Sequence, residues 1–190
     1  VLRALHHRAK QNPKKIVFAE ADQLSVLKAA QIVKEEKIAE PILLGRKDII
    51  IDLMKSIDFE QSVEIIDPKS KQYLEIKNKY AKLYWKLQKR KGVNQYEASS
   101  LLRERNYFAC MMVKNNDADA MISGYSRNYA AVIKPVMKII NKSKKGTRIA
   151  ATNMMLTDSG PLFLSDTTLN IDPTDSELAK ITILNAELVK

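Results

Sequence analysis

A chain of 190 residues is long enough for one sizeable core, or for one complete domain and part of a second. Its 32 Lys and Arg against 22 Asp and Glu leave a formal net charge of +10, and its single cysteine excludes an intrachain disulfide. No apolar run approaches the roughly 20 residues that span a bilayer, and the N-terminus has no signal-peptide core, so a cytoplasmic protein without a membrane partner is expected.

The chain opens on a basic helical segment in which His6 and His7 are adjacent and point to different sides, so a shared metal is not expected. Ile16 to Ala21 reads as a buried strand, followed by a helix with Val26, Ala29, Ala30 and Val33 on its apolar face. Pro41 precedes a second strand, Ile42 to Leu44, closed by Gly45; a helix covers Arg46 to Ile57; Val63 to Ile66 is a third strand ending at Asp67-Pro68. Strand and helix alternating at this spacing predict an α/β protein with a doubly wound, mostly parallel sheet. Tyr73, Ile76, Tyr80, Leu83, Tyr84 and Leu87 then recur at steps of three and four, predicting a long helix that stops at Gly92. Its aromatic residues at helical spacing beside leucines are expected in the core rather than on a base-stacking platform.

Asn94 with Glu97 caps a further helix, expected to run to about Asn115. Within it Cys110 reads as a small core hydrophobe, and Arg105, which shares a stripe with Ala98, Leu102, Ala109 and Met112, either snorkels at the rim of the core or faces a ligand or carboxylate, the rim being expected. Ala118 to Ser123 is a short apolar run ending at Gly124, and beyond it apolar residues resume helical spacing at Tyr129, Val132, Ile133, Val136, Met137 and Ile140. Because proline breaks a helix interior, Pro135 predicts a regular helix starting near Lys134 and an open loop before it. Strand-to-helix turns of this kind lie at the carboxyl edge of open sheets, where ligands bind. The loop offers Ser123, Gly124, Ser126, Arg127 and Asn128, with Lys134 behind: hydroxyls, amides and two cations, an inventory suited to a phosphate.

The basic run of residues 142 to 146 marks an expected boundary between a first α/β domain, 1–146, and an incomplete second one, 147–190. There, Arg148 to Leu156 and Pro161 to Leu164 flank Thr157-Asp158-Ser159-Gly160, the composition of a hairpin. The stretch from Ser165 to Asn170, with Asp166, is either a turn capped by its own side chains or a polar site. Asp172-Pro173-Thr174 followed by Glu177 predicts a last helix. The positive charge is otherwise dispersed as solvated lysine, densest at Lys86, Lys89, Arg90 and Lys91, so a nucleic-acid partner is not expected.

Tyr84-Trp85-Lys86-Leu87 through Lys91-Gly92-Val93, Ala118 to Gly124, Val132-Ile133-Lys134-Pro135, and Gly160 to Thr167 through Asn170 to Thr174 together resemble the phosphotransacetylase family. The resemblance covers essentially the whole chain and is strongest toward the phosphotransacetylase-like C-terminal domain of large bacterial NADP-dependent malic enzymes. It implies a fold of the phosphotransacetylase, isocitrate-dehydrogenase-like kind. It also implies acetyl-CoA or acetyl phosphate as the small-molecule partner, held in a cleft between two α/β domains, and a homo-oligomer. Ser123, Gly124, Ser126, Arg127, Asn128, Lys134, Arg90, Lys91, Asp166 and Asn170 are the implied ligand-binding residues, with no catalytic residue and no metal ligand in this stretch. Family members that transfer acetyl carry arginine where Gln88 and Lys134 stand here, and neither replacement reproduces arginine's charged planar fork. That departure implies a regulatory, acetyl-CoA-sensing domain, with NADP and a divalent metal (Mg or Mn) acting elsewhere in the parent chain.

Overall fold

A computed structural model describes residues 2–140 and 149–189; the expected boundary at 146 and the cluster Lys142, Lys144 and Lys145 lie outside the described residues. The chain divides into two compact units, one of them Arg3–Ile140 and the other containing the described residues from 149 on. In the first unit, α1 (Leu2–Gln11), β1 (Lys14–Phe18), α2 (Leu24–Glu35), β2 (Ala39–Leu44), α3 (Lys47–Ser56) and β3 (Glu64–Ile66) follow one another as the alternating pattern requires. Then come α4 (Leu74–Gln88), α5 (Gln95–Leu101), α6 (Arg105–Lys114), β4 (Ala120–Ile122) and α7 (Tyr129–Ile139).

All four strands are parallel and lie in the order β3-β2-β1-β4, with Val17 opposite Ile42 on one side and Met121 on the other. The chain therefore winds outward from β1 to β3 and returns through α4, α5 and α6 to the far side of β1. The order reverses between β1 and β4, and in open sheets ligands bind in the crevice at such a switch point. Successive side chains alternate between the two faces. Val17, Ile42, Leu44 and Ile66 join a core with Tyr80, Tyr84, Phe108 and Ile139, while Phe18 and Leu43 point to the opposite core with Leu27, Ile50 and Phe59.

Several boundaries differ from the expectations. The single helix expected from Asn94 to Asn115 is two: Asn94 caps α5 through Glu97 N–H (2.8 Å), and Glu104 starts α6 by accepting from Asn106 N–H (3.3 Å). Every residue from Asn106 to Met112 is buried, so α6 has no polar face and no period by which the break could be read. The helix expected near Lys134 begins five residues earlier, at Tyr129, because Asn128 Oδ1 accepts from Ala131 N–H (2.9 Å) and Pro135 is accommodated inside α7. Interior proline costs about 3 kcal/mol; here Pro135 and Ile139 are buried, and Val136 and Ile140 pack on the core. Regular β1 ends at Phe18 rather than Ala21, and residues 19–22 form a turn that stays bonded to both neighbouring strands: Ala19 N–H donates to Ile122 O (3.0 Å) and Ala21 N–H to Leu44 O (3.3 Å).

The second unit pairs β5 (Thr152–Thr157) with β6 (Gly160–Ser165) as the expected hairpin, followed by α8 (Asp175–Val189). Thr174, just before α8, donates its N–H to Glu177 Oε2 (3.0 Å), so the expected pairing of these two residues marks the helix start. Tyr80 meets Phe108 edge-on, ring centroids 5.2 Å apart, inside the larger core. Phe108→Ala should therefore cost about 3–5 kcal/mol in urea unfolding; a loss below about 1 kcal/mol, the range of surface changes, would contradict this packing.

Candidate functional site

The carboxyl ends of β1 and β4 deliver two short segments to the switch point, Ala19 to Gln23 and Ser123 to Asn128. Glu20 joins them. Its side chain, only 4% exposed, accepts from Tyr125 N–H (2.7 Å), Ser126 N–H (3.1 Å) and Ser126 Oγ–H (3.2 Å). The loop reaches this carboxylate because Gly124 turns it at φ +107°, a conformation that other residues adopt only under strain. Ser123 Oγ–H donates to Asn106 Oδ1 (2.8 Å), and Asn106 is itself buried at the start of α6. Tyr125 Oη–H donates to Ser25 Oγ (3.1 Å) in the first turn of α2.

Asp22, one turn further, takes a two-pronged ion pair from Arg105, both N–H···O distances 2.6 Å. Arg105 thus faces a carboxylate instead of sitting at the rim of the core; the stripe that suggested the rim belongs partly to α5 and partly to α6. The Arg105 guanidinium holds the Asp22 carboxyl below the usual carboxylate range, against the opposing effect of burial. Glu20, Asp22, Arg105, Asn106, Ser126 and Arg127 border a polar cavity of about 300 Å³.

The expected ligand residues are therefore not equivalent. Ser123, Ser126 and Asn128 direct their side chains to protein partners, Gly124 makes the turn, and Arg127 and Lys134 are exposed. Arg90 and Lys91 lie elsewhere. Gln88, buried just before them, donates from Nε2 to Lys138 O (2.6 Å) in the last turn of α7, the end of that helix remote from the loop. In the second unit Asp166 has φ +55°, and Asn170 Nδ2 donates to Asp166 Oδ1 (2.9 Å) and Ile149 O (3.1 Å). This is the self-capped turn. The other carboxylate oxygen of Asp166 is buried without a hydrogen-bond partner among the described residues.

Glu20, Asp22 and Asn106 escaped the sequence reading. A signal existed for the first two: acidic residues directly at the carboxyl end of an apolar, buried strand. Asn106 had none, since nothing local says that a helical asparagine will be buried beneath Ser123. Cys110 is fully buried, its thiol pushed up to about 12 first by burial and then by Glu104, as suits a core residue rather than a nucleophile.

A parallel, doubly wound sheet with a polar crevice at its switch point defines an α/β protein of the small-ligand-binding class. The chain belongs to the phosphate acetyl/butaryl transferase family, whose model matches residues 1–190. It is 33% identical to a phosphate acetyltransferase of Thermoanaerobacterium thermosaccharolyticum, over 100% of this chain and 58% of that protein. It is 30% identical to an NADP-dependent malic enzyme of Salmonella typhimurium, over 100% of this chain and 25% of that protein. A crystal structure of a phosphotransacetylase from Streptococcus pyogenes superposes with a TM-score of 0.81 at 29% identity, covering 96% of this chain and 56% of that one. The chain thus spans a little over half of these transferases and a quarter of the malic enzyme. Among the described residues, no helix is long and apolar enough to cross a membrane.

Removing the Arg105 side chain leaves Asp22 without its charged partner, and Arg105→Met is expected to cost about 1.5–3 kcal/mol at neutral pH. Because the folded Asp22 carboxyl titrates below its unfolded value, the pair's contribution is present above about pH 4 and fades as pH falls through the folded value. Urea unfolding of both proteins between pH 8 and pH 3.5 should show a constant gap that narrows only at the acid end. A gap that narrows instead as pH rises would contradict the assignment.

Proposed function

We propose that this chain is an acetyl-CoA-binding module that senses its ligand without transferring the acetyl group, and that it forms part of an NADP-dependent malic enzyme. The observation that carries the reading is the state of Gln88. It is uncharged, buried and committed to a carbonyl of α7, so it supplies no cation to a phosphoryl oxygen. Lys134, at the other position where transferases of the family are expected to carry arginine, is exposed and gives a point charge without arginine's fork. With Lys134 as its one cation, such a pair of positions can attract a phosphate group but is poorly equipped to stabilise a transferring acetyl phosphate.

In this reading Arg127 and Lys134 contact phosphate groups of acetyl-CoA, and the malate chemistry, NADP and the divalent metal belong to the remainder of the parent. Regulation requires that acetyl-CoA bind the more and less active states with different affinity, typically by 1–3 kcal/mol. Homo-oligomeric assembly is the natural route for such coupling. A second reading, an active phosphate acetyltransferase, is favoured by the 33% identity to one.

Titrating the full protein with acetyl-CoA while following both malate decarboxylation and acetyl phosphate formation separates the two. The sensing role predicts saturable binding, a change in malate turnover of roughly 5–150-fold, and no acetyl phosphate above background. Lys134→Gln should weaken acetyl-CoA binding by on the order of tenfold, the value of one charge-assisted contact. Acetyl phosphate formation at about 1 per second or faster would overturn the sensing role in favour of the transferase.

A further inference from the structure

Beside the crevice lies a second cavity, of about 370 Å³, lined by Lys69, Ser100, Arg103, Glu104, Arg105 and Arg127. Three separate parts of the fold deliver its cations. Lys69 follows the carboxyl end of β3 in a tight turn, its N–H donating to Asp67 Oδ1 (2.9 Å) and Ser70 N–H to Asp67 O (3.0 Å). Arg103 occupies the turn between α5 and α6, its N–H donating to Ser100 O (3.1 Å). Arg127 comes from the loop after β4, so all three sit on the carboxyl side of the sheet.

The charges at this cavity are unbalanced. Arg105 is already neutralised by Asp22, and Glu104 is turned to the start of α6, where it accepts from Asn106 N–H. Lys69, Arg103 and Arg127 make no ion pair among the described residues. Cations from distant segments that converge on one hollow repel one another, and a multiply charged anion relieves that repulsion. Lys86, Lys89, Arg90 and Lys91 differ in kind, being neighbours along one stretch of chain. Nor can an anion readily take the amides of Tyr125 and Ser126, since Glu20 already accepts from both.

We propose that Lys69, Arg103 and Arg127 form an anion subsite for a phosphate monoester or diphosphate, one step to the side of the loop amides where such a fold would ordinarily seat it. The arginines offer planar forks to the phosphate oxygens, lysine adds a point charge, and the Ser100 hydroxyl is available as a donor. The volume suffices for a phosphate or diphosphate with residual water, each water taking about 30 Å³. The subsite adds residues to the reading above, and rests on that reading only for acetyl-CoA as the molecule that carries the phosphate.

The test is calorimetric titration of the full protein and of a Lys69→Gln/Arg103→Gln double variant with pyrophosphate, acetyl-CoA and 3′-dephospho-acetyl-CoA. Both substituted side chains are exposed, so the variant is expected to fold, and unchanged thermal unfolding checks this. Pyrophosphate affinity should fall on the order of tenfold or more, and Lys69→Arg/Arg103→Lys, which keeps the charge, should retain most of it. A parallel loss for acetyl-CoA but not for its 3′-dephospho form assigns the subsite to the 3′-phosphate; a loss for pyrophosphate alone assigns it to a free phosphate compound. Absence of pyrophosphate binding to the wild type, or equal binding by wild type and the neutral variant, would overturn the subsite. If acetyl-CoA still binds in that case, the sensing role survives without it. If instead pyrophosphate binds through Lys69 and Arg103 while acetyl-CoA does not bind at all, the subsite stands and the sensing role fails.

Discussion

One buried carboxylate, that of Glu20, connects the two halves of the doubly wound sheet. It stands at the end of β1, fixed on either side by the bonds of Ala19 to β4 and Ala21 to β2, and it accepts two backbone amides and a hydroxyl from the loop that follows β4. A buried charge is tolerable only when its lone pairs are satisfied. Conversely, each amide left unmet in a buried place would cost about 1–3 kcal/mol. The conformation of the loop at Tyr125 and Ser126, and with it the placement of the adjacent Arg127, therefore descends from this contact.

The rest of the crevice repeats the pattern of internal partnership. Asp22 holds Arg105 at the entry to α6, and Asn106 holds Ser123 one residue further along the same helix. Asn128 caps α7, while Gln88 meets a carbonyl at the opposite end of that helix. Polar groups that a sequence presents as available to a ligand are thus mostly engaged with one another. What remains for an anion is charge at the margin, from Lys69, Arg103, Arg127 and Lys134. That margin is the basis of the proposed binding role, since transition-state stabilisation would need donors fixed where charge develops.

The parallel sheet was legible because strands buried on both faces read as continuous apolar runs, as Ile42-Leu43-Leu44 and Val17-Phe18 do. Periodicity located α2 and α4 but not every residue of their buried faces: Leu27 is buried while Ala29 is exposed, and Ala81 and Gln88 are buried while Ile76 and Leu87 are exposed. It failed at α6, which is buried all round, and at Pro135, where core packing of Ile139 overrides the local cost of proline. The loop at the switch point could be found from the change of period across Gly124. Its chemistry could not, since Glu20 lies 105 residues from Tyr125 and 106 from Ser126, and no local pattern announces which acceptor a backbone amide will meet. Arg105 illustrates the same limit: its stripe was visible, its partner Asp22 was not.

Amide hydrogen exchange at Tyr125 and Ser126 tests the Glu20 contact most directly. Both residues are largely exposed by side chain, so protection of their amides can arise only from the carboxylate that accepts them. The account predicts slowed exchange in the wild type and, in Glu20→Ala, acceleration on the order of tenfold or more, as loss of one charge-assisted bond implies. Free exchange at both amides in the wild type, or protection that survives Glu20→Ala, would contradict it.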